Sequence, residues 1–201
     1  VGVPGTVAGF WEAHKKFGKL PWKDLINPAI KLARDGFMPA PALVDNVHHL
    51  KGQFVGKTNF SAYFASMKVG RLFKQPELAK TLGRIAESGA DDFYRGATAA
   101  LIVEEMQAGN GLITAEDLES YKAVWREPVR STWREYEVIS APPPSSGGFA
   151  IVQLLKMKDY LGDFFEDVEH NSAQYIHLVA EMEKRVFADR AEYLGDPDFF
   201  N

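Results

Sequence analysis

The chain has 201 residues, 46% hydrophobic and 25% charged, which is enough for one good core or two small ones and too apolar for disorder. A formal net charge of −4, with the cations scattered among acids, excludes the basic field that nucleic-acid binding needs. No apolar run approaches the roughly 18 residues of a membrane span, and zero cysteines exclude disulfides and thiolate metal sites.

Val1 to Gly5 reads as a loop, and Thr6 is expected to cap a helix through Val7, Phe10, Trp11, His14 and Phe17 that stops at Gly18. Its apolar stripe is expected to face a core. Pro21-Trp22-Lys23-Asp24 opens a second helix, which Pro28 is expected to interrupt or restart before Ala29, Ile30, Leu32 and Ala33 carry it to Gly36. Pro41 stands at the first position of a third helix, with Leu43, Val44, Val47 and Leu50 along it. Between Lys51 and Gln75 the periodicity fails, and the stretch reads as a surface excursion around a short helix at 61–66.

Helical spacing returns with Pro76, followed by Leu78, Leu82, Ile85 and Ala86 and a stop at Gly89. Asp91-Asp92-Phe93-Tyr94 is expected to begin one long helix through Ala97, Leu101 and Met106 to Gly109-Asn110-Gly111. Thr114 and Asp117 have the spacing of a capping box, with Leu118 and Tyr121 as the apolar face behind it. Pro128 to Trp133 and Tyr136 to Ala141 read as two strands joined near Arg134-Glu135.

Three prolines, 142–144, end the second strand in what should be an extended, rigid corner. Ser145 or Ser146 is expected to cap a buried helix carrying Phe149, Ile151, Val152, Leu154 and Leu155. A polar loop, Gly162 to Asn171, leads to the longest helix, from Ala173 to about Leu194, capped by Asn171 or Ser172 and stopped by Gly195-Asp196-Pro197-Asp198. Periodicity thus gives an α+β class, mostly helical with a β-hairpin.

Several residues invite a chemical reading. Ser145-Ser146-Gly147-Gly148 follows a strand as a nucleophile elbow would, but it lacks the G-x-S-x-G pattern and reads as a structural corner. His48 and His49 project about 100° apart on a helix and read as a solvated pair. His14 and His177 are expected to be partly buried structural residues. Glu104, Glu105, Glu181, Glu183 and Glu192 could pair for acid–base work, yet they read as charged helix faces. Asp189, Asp196 and Asp198 lack the other ligands of a calcium loop, and Asn59-Phe60-Ser61 is a formal glycosylation sequon.

Taken in order, VGVPGTVAGF, PAIKLARDGF, PELAKTLGRIAESGADDFYRG, GLITAEDLESYKA, APPPSSGG and ADRAEYLGDPDF resemble the large-subunit portion of the γ-glutamyltranspeptidase family. The resemblance covers essentially residues 1–201, as one partial domain, and rests on the ordered set. It is poorest from Lys51 to Lys74, which lacks an expected Gly-rich phrase, and Asn110 stands where the second glycine of a pair is usual. Because the sequence opens Val-Gly-Val-Pro and stops at Phe-Phe-Asn, it is expected to be a fragment.

The resemblance implies an N-terminal-nucleophile hydrolase with an αββα sandwich, made as a zymogen that cuts itself. The new amino-terminal Thr of the small subunit attacks a γ-glutamyl carbonyl, with its own amine as base. Glutathione and γ-glutamyl amides are the implied substrates, with water or acceptor amino acids and peptides resolving the acyl-enzyme. No cofactor or metal is implied, and the parent's implied location is periplasmic or secreted. Carried over residue by residue, the family's nucleophile, oxyanion-hole glycines and carboxylate-gripping Arg have no counterpart in 1–201. No catalytic, cofactor-binding or metal residue is therefore assigned, and the chain is expected to be inactive alone, with its uncovered edges prone to self-association. The alternatives are an acylase of the glutaryl or cephalosporin type and a non-enzymatic helical interaction module.

Overall fold

The computed structural model describes residues 2–54, 56 and 58–200. Val1 in the opening loop, Val55 and Lys57 in the aperiodic stretch, and Asn201 lie outside the described residues. The described residues are mostly helical with a two-stranded antiparallel sheet. They form two compact units, Val1–Val124 and Trp125–Asn201.

The first unit holds α1 (Thr6–Phe17), α2 (Trp22–Asp35), α3 (Pro41–Phe54), α4 (Phe60–Phe64), α5 (Pro76–Ser88), α6 (Asp91–Arg95), α7 (Ala97–Ala108) and α8 (Ala115–Ser120). Thr6 is the first helical residue rather than the cap, because Gly5 takes that position and no side chain bonds there. The stripe of α1 buries only Ala8 fully, while Phe10 and Phe17 are 65% and 64% exposed, contrary to expectation. Pro28 does not interrupt α2. The carbonyl it leaves unbonded is that of Asp24, and both residues are exposed, so water can satisfy that group while packing on α5 holds the helix. The same pair is tied by Trp22 Nε1, which donates to the Ile85 carbonyl at 2.9 Å.

The stretch after Lys51 is a surface excursion only in part: most of its described residues are exposed around the short helix α4, but two are buried. Met67 and Phe73 are buried against Val44 and Val47 of α3, and Phe37 pairs with Phe73 in an isolated antiparallel bridge of 2.9 and 3.0 Å. A second cluster joins Ala8, Tyr94, Ala99, Ile113 and the fully buried Leu118. Leu118 is placed by the capping box, for Thr114 Oγ1 accepts from Asp117 N–H at 3.2 Å and Asp117 accepts from Thr114 N–H at 2.8 Å.

The expected long helix from Asp91 is two helices broken at Gly96. Asp92 folds over the break and accepts from Ala97 N–H at 3.1 Å, so a side chain five residues upstream starts α7. A Cβ at position 96 would stand 2.7 Å from the Asp92 Cα, a gap that only glycine leaves open.

In the second unit, β1 (Val129–Trp133) pairs with β2 (Tyr136–Ser140) in the register Ser131↔Val138, with Arg134 at a positive φ in the turn. The hairpin packs on α9 (Gly147–Tyr160), and Trp133 Nε1 donates to Asp159 at 3.0 Å. The proline corner is a tight turn rather than an extended rod, closed by Ser145 N–H on the Pro142 carbonyl at 3.1 Å and containing a cis Pro143-Pro144 bond. Ser146 takes the cap position of α9 without a side-chain cap bond, and the helix is half-buried, with only Gly148 fully enclosed. Gly148 passes so close to the Ala141 carbonyl that a Cβ would collide with it. After a 3₁₀ turn at Gly162–Phe165, Ser172 caps α10 (Ala173–Tyr193) by accepting from Tyr175 N–H, and Met182 and Val186 bury its inner face.

Candidate functional site

At the corner, both serine hydroxyls accept hydrogen bonds. Ser145 Oγ accepts from Gly147 N–H at 3.4 Å, and Ser146 Oγ accepts from Arg190 Nε at 2.9 Å. A nucleophilic serine must give its proton to a base, and a guanidinium cannot take one. The corner is therefore a joint between α9 and α10, strengthened by Gln153 Nε2 donating to Asp189 at 2.5 Å.

Of the other candidates, some are held in hydrogen bonds or ion pairs and others are exposed. Asp198 and Asp196 hold Arg126 at 2.6 and 3.8 Å, so the protein's own cation occupies the acids that resemble a calcium loop. Among the described residues no cluster of three or more His and acidic groups could hold a metal ion. His48 and His49 are exposed on α3. His14 is half-buried as expected, donating through Nε2 to the Leu20 carbonyl at 2.8 Å and stacking on Trp11. His177 is exposed, contrary to expectation, because it lies on the outer face of α10, away from Met182 and Val186.

Glu181 pairs with Lys184 at 2.7 Å and Arg185 at 2.9 Å, and the Lys184 hydrogen bond is the chief cause holding its carboxyl below the usual range. Glu105 accepts from Asn59 Nδ2 at 3.3 Å, which occupies the amide of the sequon. Glu104, Glu183 and Glu192 are exposed.

The most organised polar chemistry was not evident in the sequence. Asp92, 9% exposed, accepts from Arg84 Nε at 3.2 Å, from Thr98 Oγ1 and from Ala97 N–H. Arg84 Nη2 also donates to Thr81 at 3.1 Å and Thr98 at 2.9 Å. Burial pushes the Asp92 carboxyl up, but the hydrogen bonds from Thr98 and Arg84 and the guanidinium charge outweigh it and leave the group below the usual carboxylate range. Nearby, Tyr94 Oη donates to the Pro4 carbonyl at 2.7 Å and accepts from Ala8 N–H at 3.2 Å, fixing α1 to α6. The only sequence signal for the Asp92 knot is an acid four residues before a glycine. Above it, between α5 and α7, opens a cleft of about 810 Å³ whose lining includes Lys80, Arg84, Leu101, Glu104 and Met106.

Among the described residues no cluster could hold a metal ion, and the hydroxyls that do donate to a carboxylate, Thr98 to Asp92 and Thr114 to Asp117, are tied into helix starts. The family model that matches is Gamma-glutamyltranspeptidase, over residues 1–201. The chain belongs to the γ-glutamyltranspeptidase family. It is 57% identical over 198 residues to a glutathione hydrolase proenzyme of Pseudomonas aeruginosa, covering 98% of this chain and 36% of that protein. The solved γ-glutamyltranspeptidase of Pseudomonas nitroreducens, complexed with L-DON, superposes with a TM-score of 0.96 at 55% identity, covering 99% of this chain and 59% of that one. An acylase ACY 1 proenzyme of a Pseudomonas species is 36% identical over 99% of this chain and 36% of that protein. The chain therefore spans about a third of the length of the curated relatives it matches. Its mostly helical α+β class agrees with the family resemblance carried by the ordered motifs.

Proposed function

We propose that this chain is a supporting portion of the large subunit of a γ-glutamyltransferase and glutathione hydrolase, within one domain shared with the rest of its parent. The parent's Thr hydroxyl adds to the γ-glutamyl carbonyl and the amine leaves with a proton. The ester so formed is then cleaved by water or by the amino group of an amino acid or peptide, regenerating the hydroxyl. That chemistry needs no metal or organic cofactor. In this reading, residues 1–201 contribute no reacting group; they supply packed helices and two strands of an αββα sandwich completed by the small subunit. A periplasmic or secreted location belongs to the same reading.

The observation that carries the proposal is the 57% identity over 98% of the chain to a protein named glutathione hydrolase proenzyme. The corner serines, which accept from Gly147 N–H and Arg190 Nε, support the supporting role. An acylase reading has the 36% identity to the acylase proenzyme behind it and ranks second. The test is release of amine from a γ-glutamyl anilide and from a glutaryl amide by the full protein and by residues 1–201 alone. Cleavage of the γ-glutamyl compound by the full protein only is the expected result. Turnover by the 201 residues alone, or of the glutaryl compound only, overturns it.

A further inference from the structure

The cleft between α5 and α7 has features that a helical support does not require. Lys80 and Arg84 stand one turn apart on α5, on the same face, and both line it. Arg84 is fixed by the Asp92 knot through Nε and Nη2, while its Nη1 has no hydrogen-bond partner among the described residues. Its side chain is 29% exposed. Lys80 has no ion-pair partner among the described residues. Across the cleft α7 brings Glu104, likewise unpaired, and Glu105, which accepts from Asn59, with Leu101 and Met106 on the same helix, while Glu77 stands beside Lys80 on the α5 wall. Leu101 is 54% exposed there, between Glu104 and Glu105 on the face of α7. The volume of about 810 Å³ is in the range of small-molecule sites, roughly 300–1,000 Å³.

We propose that this cleft binds a short peptide with an apolar side chain. Its terminal carboxylate lies on Lys80 and Arg84, its amino group on Glu104 and Glu105, and its side chain on Leu101 and Met106. A simple anion would meet two cations and at least as many carboxylates. A zwitterion of peptide length instead sets its carboxylate on Lys80 and Arg84, which outnumber Glu77 on the α5 wall, and its amino group on Glu104 and Glu105 of α7, so charge complementarity selects it. Pre-fixing of Arg84 reduces the ordering cost of the grip.

Isothermal titration of the full protein with the dipeptide Leu-Leu, its C-terminal amide and its N-acetyl form tests this. Lys80→Gln, Leu101→Asp and Glu104→Gln are preferred to Arg84 variants, because Arg84 also holds the Asp92 knot. The expected result is saturable Leu-Leu binding that weakens roughly tenfold on amidation and roughly tenfold on acetylation, as the loss of a charge-assisted hydrogen bond implies. The amidation loss shrinks in Lys80→Gln and the acetylation loss in Glu104→Gln, a pairing that mere structural damage does not reproduce. No saturable binding, as when another segment or a second copy fills the cleft, overturns the proposal. Binding that all three substitutions leave unchanged also overturns it.

Discussion

Arg84 and Asp92 meet at 3.2 Å, Nε to Oδ2, inside a knot where three helices converge. The carboxylate serves α7 as a cap, Thr98 as an acceptor and Arg84 as a counter-ion. Replacing Asp92 by Asn keeps the shape but leaves a half-buried guanidinium without its counter-ion beside a buried, weaker acceptor. The expected cost is about 3 kcal/mol, read as a fall in the denaturant midpoint of the full protein with an unchanged slope.

The same pair sets an acid dependence. Asp92 is held below its ordinary value, so it binds fewer protons in the folded state than in the unfolded one as pH falls. Its contribution is fully present above the unfolded carboxylate value of about 3.9 and is lost as pH falls through the lower folded value. The difference in stability between wild type and Asp92→Asn should therefore be constant above about pH 5 and shrink below about pH 4. A difference that grows on acidification would contradict the assignment.

Thr114→Ala removes one half of the capping box and should cost about 1 kcal/mol, whereas Thr114→Ser should restore most of it. Thermal melts of the three proteins distinguish the cap from a volume effect, since Leu118 stays in place in all of them.

Ser145→Ala with Ser146→Ala should leave γ-glutamyl anilide cleavage by the full protein within roughly twofold of wild type. Each hydroxyl accepts a single hydrogen bond in an exposed corner and none faces a base. A loss of several hundredfold would make one of them a reacting group.

Punctuation by local chemistry was legible in the sequence. Gly18, Gly36 and Gly89 end their helices, Pro41 and Pro76 start theirs, and the Thr114 box and Ser172 cap bond as their spacing implies. The hairpin was legible in the β-branched and aromatic residues of 128–133 and 136–141, and the structure adds the burial of Val129, Ser131 and Trp133 between exposed neighbours. What escaped depends on distant partners. Met67 and Phe73 look aperiodic until Val44, Val47 and Phe37 surround them. The break at Gly96 depends on a carboxylate that Arg84 and Thr98 hold in place, and no local pattern encodes that. Pro28 is tolerated because its face of α2 is wet, which only packing on α5 reveals. For the functional site, the resemblance pointed to a family, and the geometry adds that Ser146, Asp196, Asp198 and Glu181 are engaged by cations of this chain, which their sequence spacing did not show.

The most direct test is intact-mass spectrometry of the full-length gene product after purification and incubation, with the new amino terminus read by sequencing. The account predicts two species, the smaller beginning with Thr and the larger containing residues 1–201, in a preparation that cleaves γ-glutamyl amides. A single unprocessed chain with no such cleavage would contradict it and leave the family membership as a statement about fold.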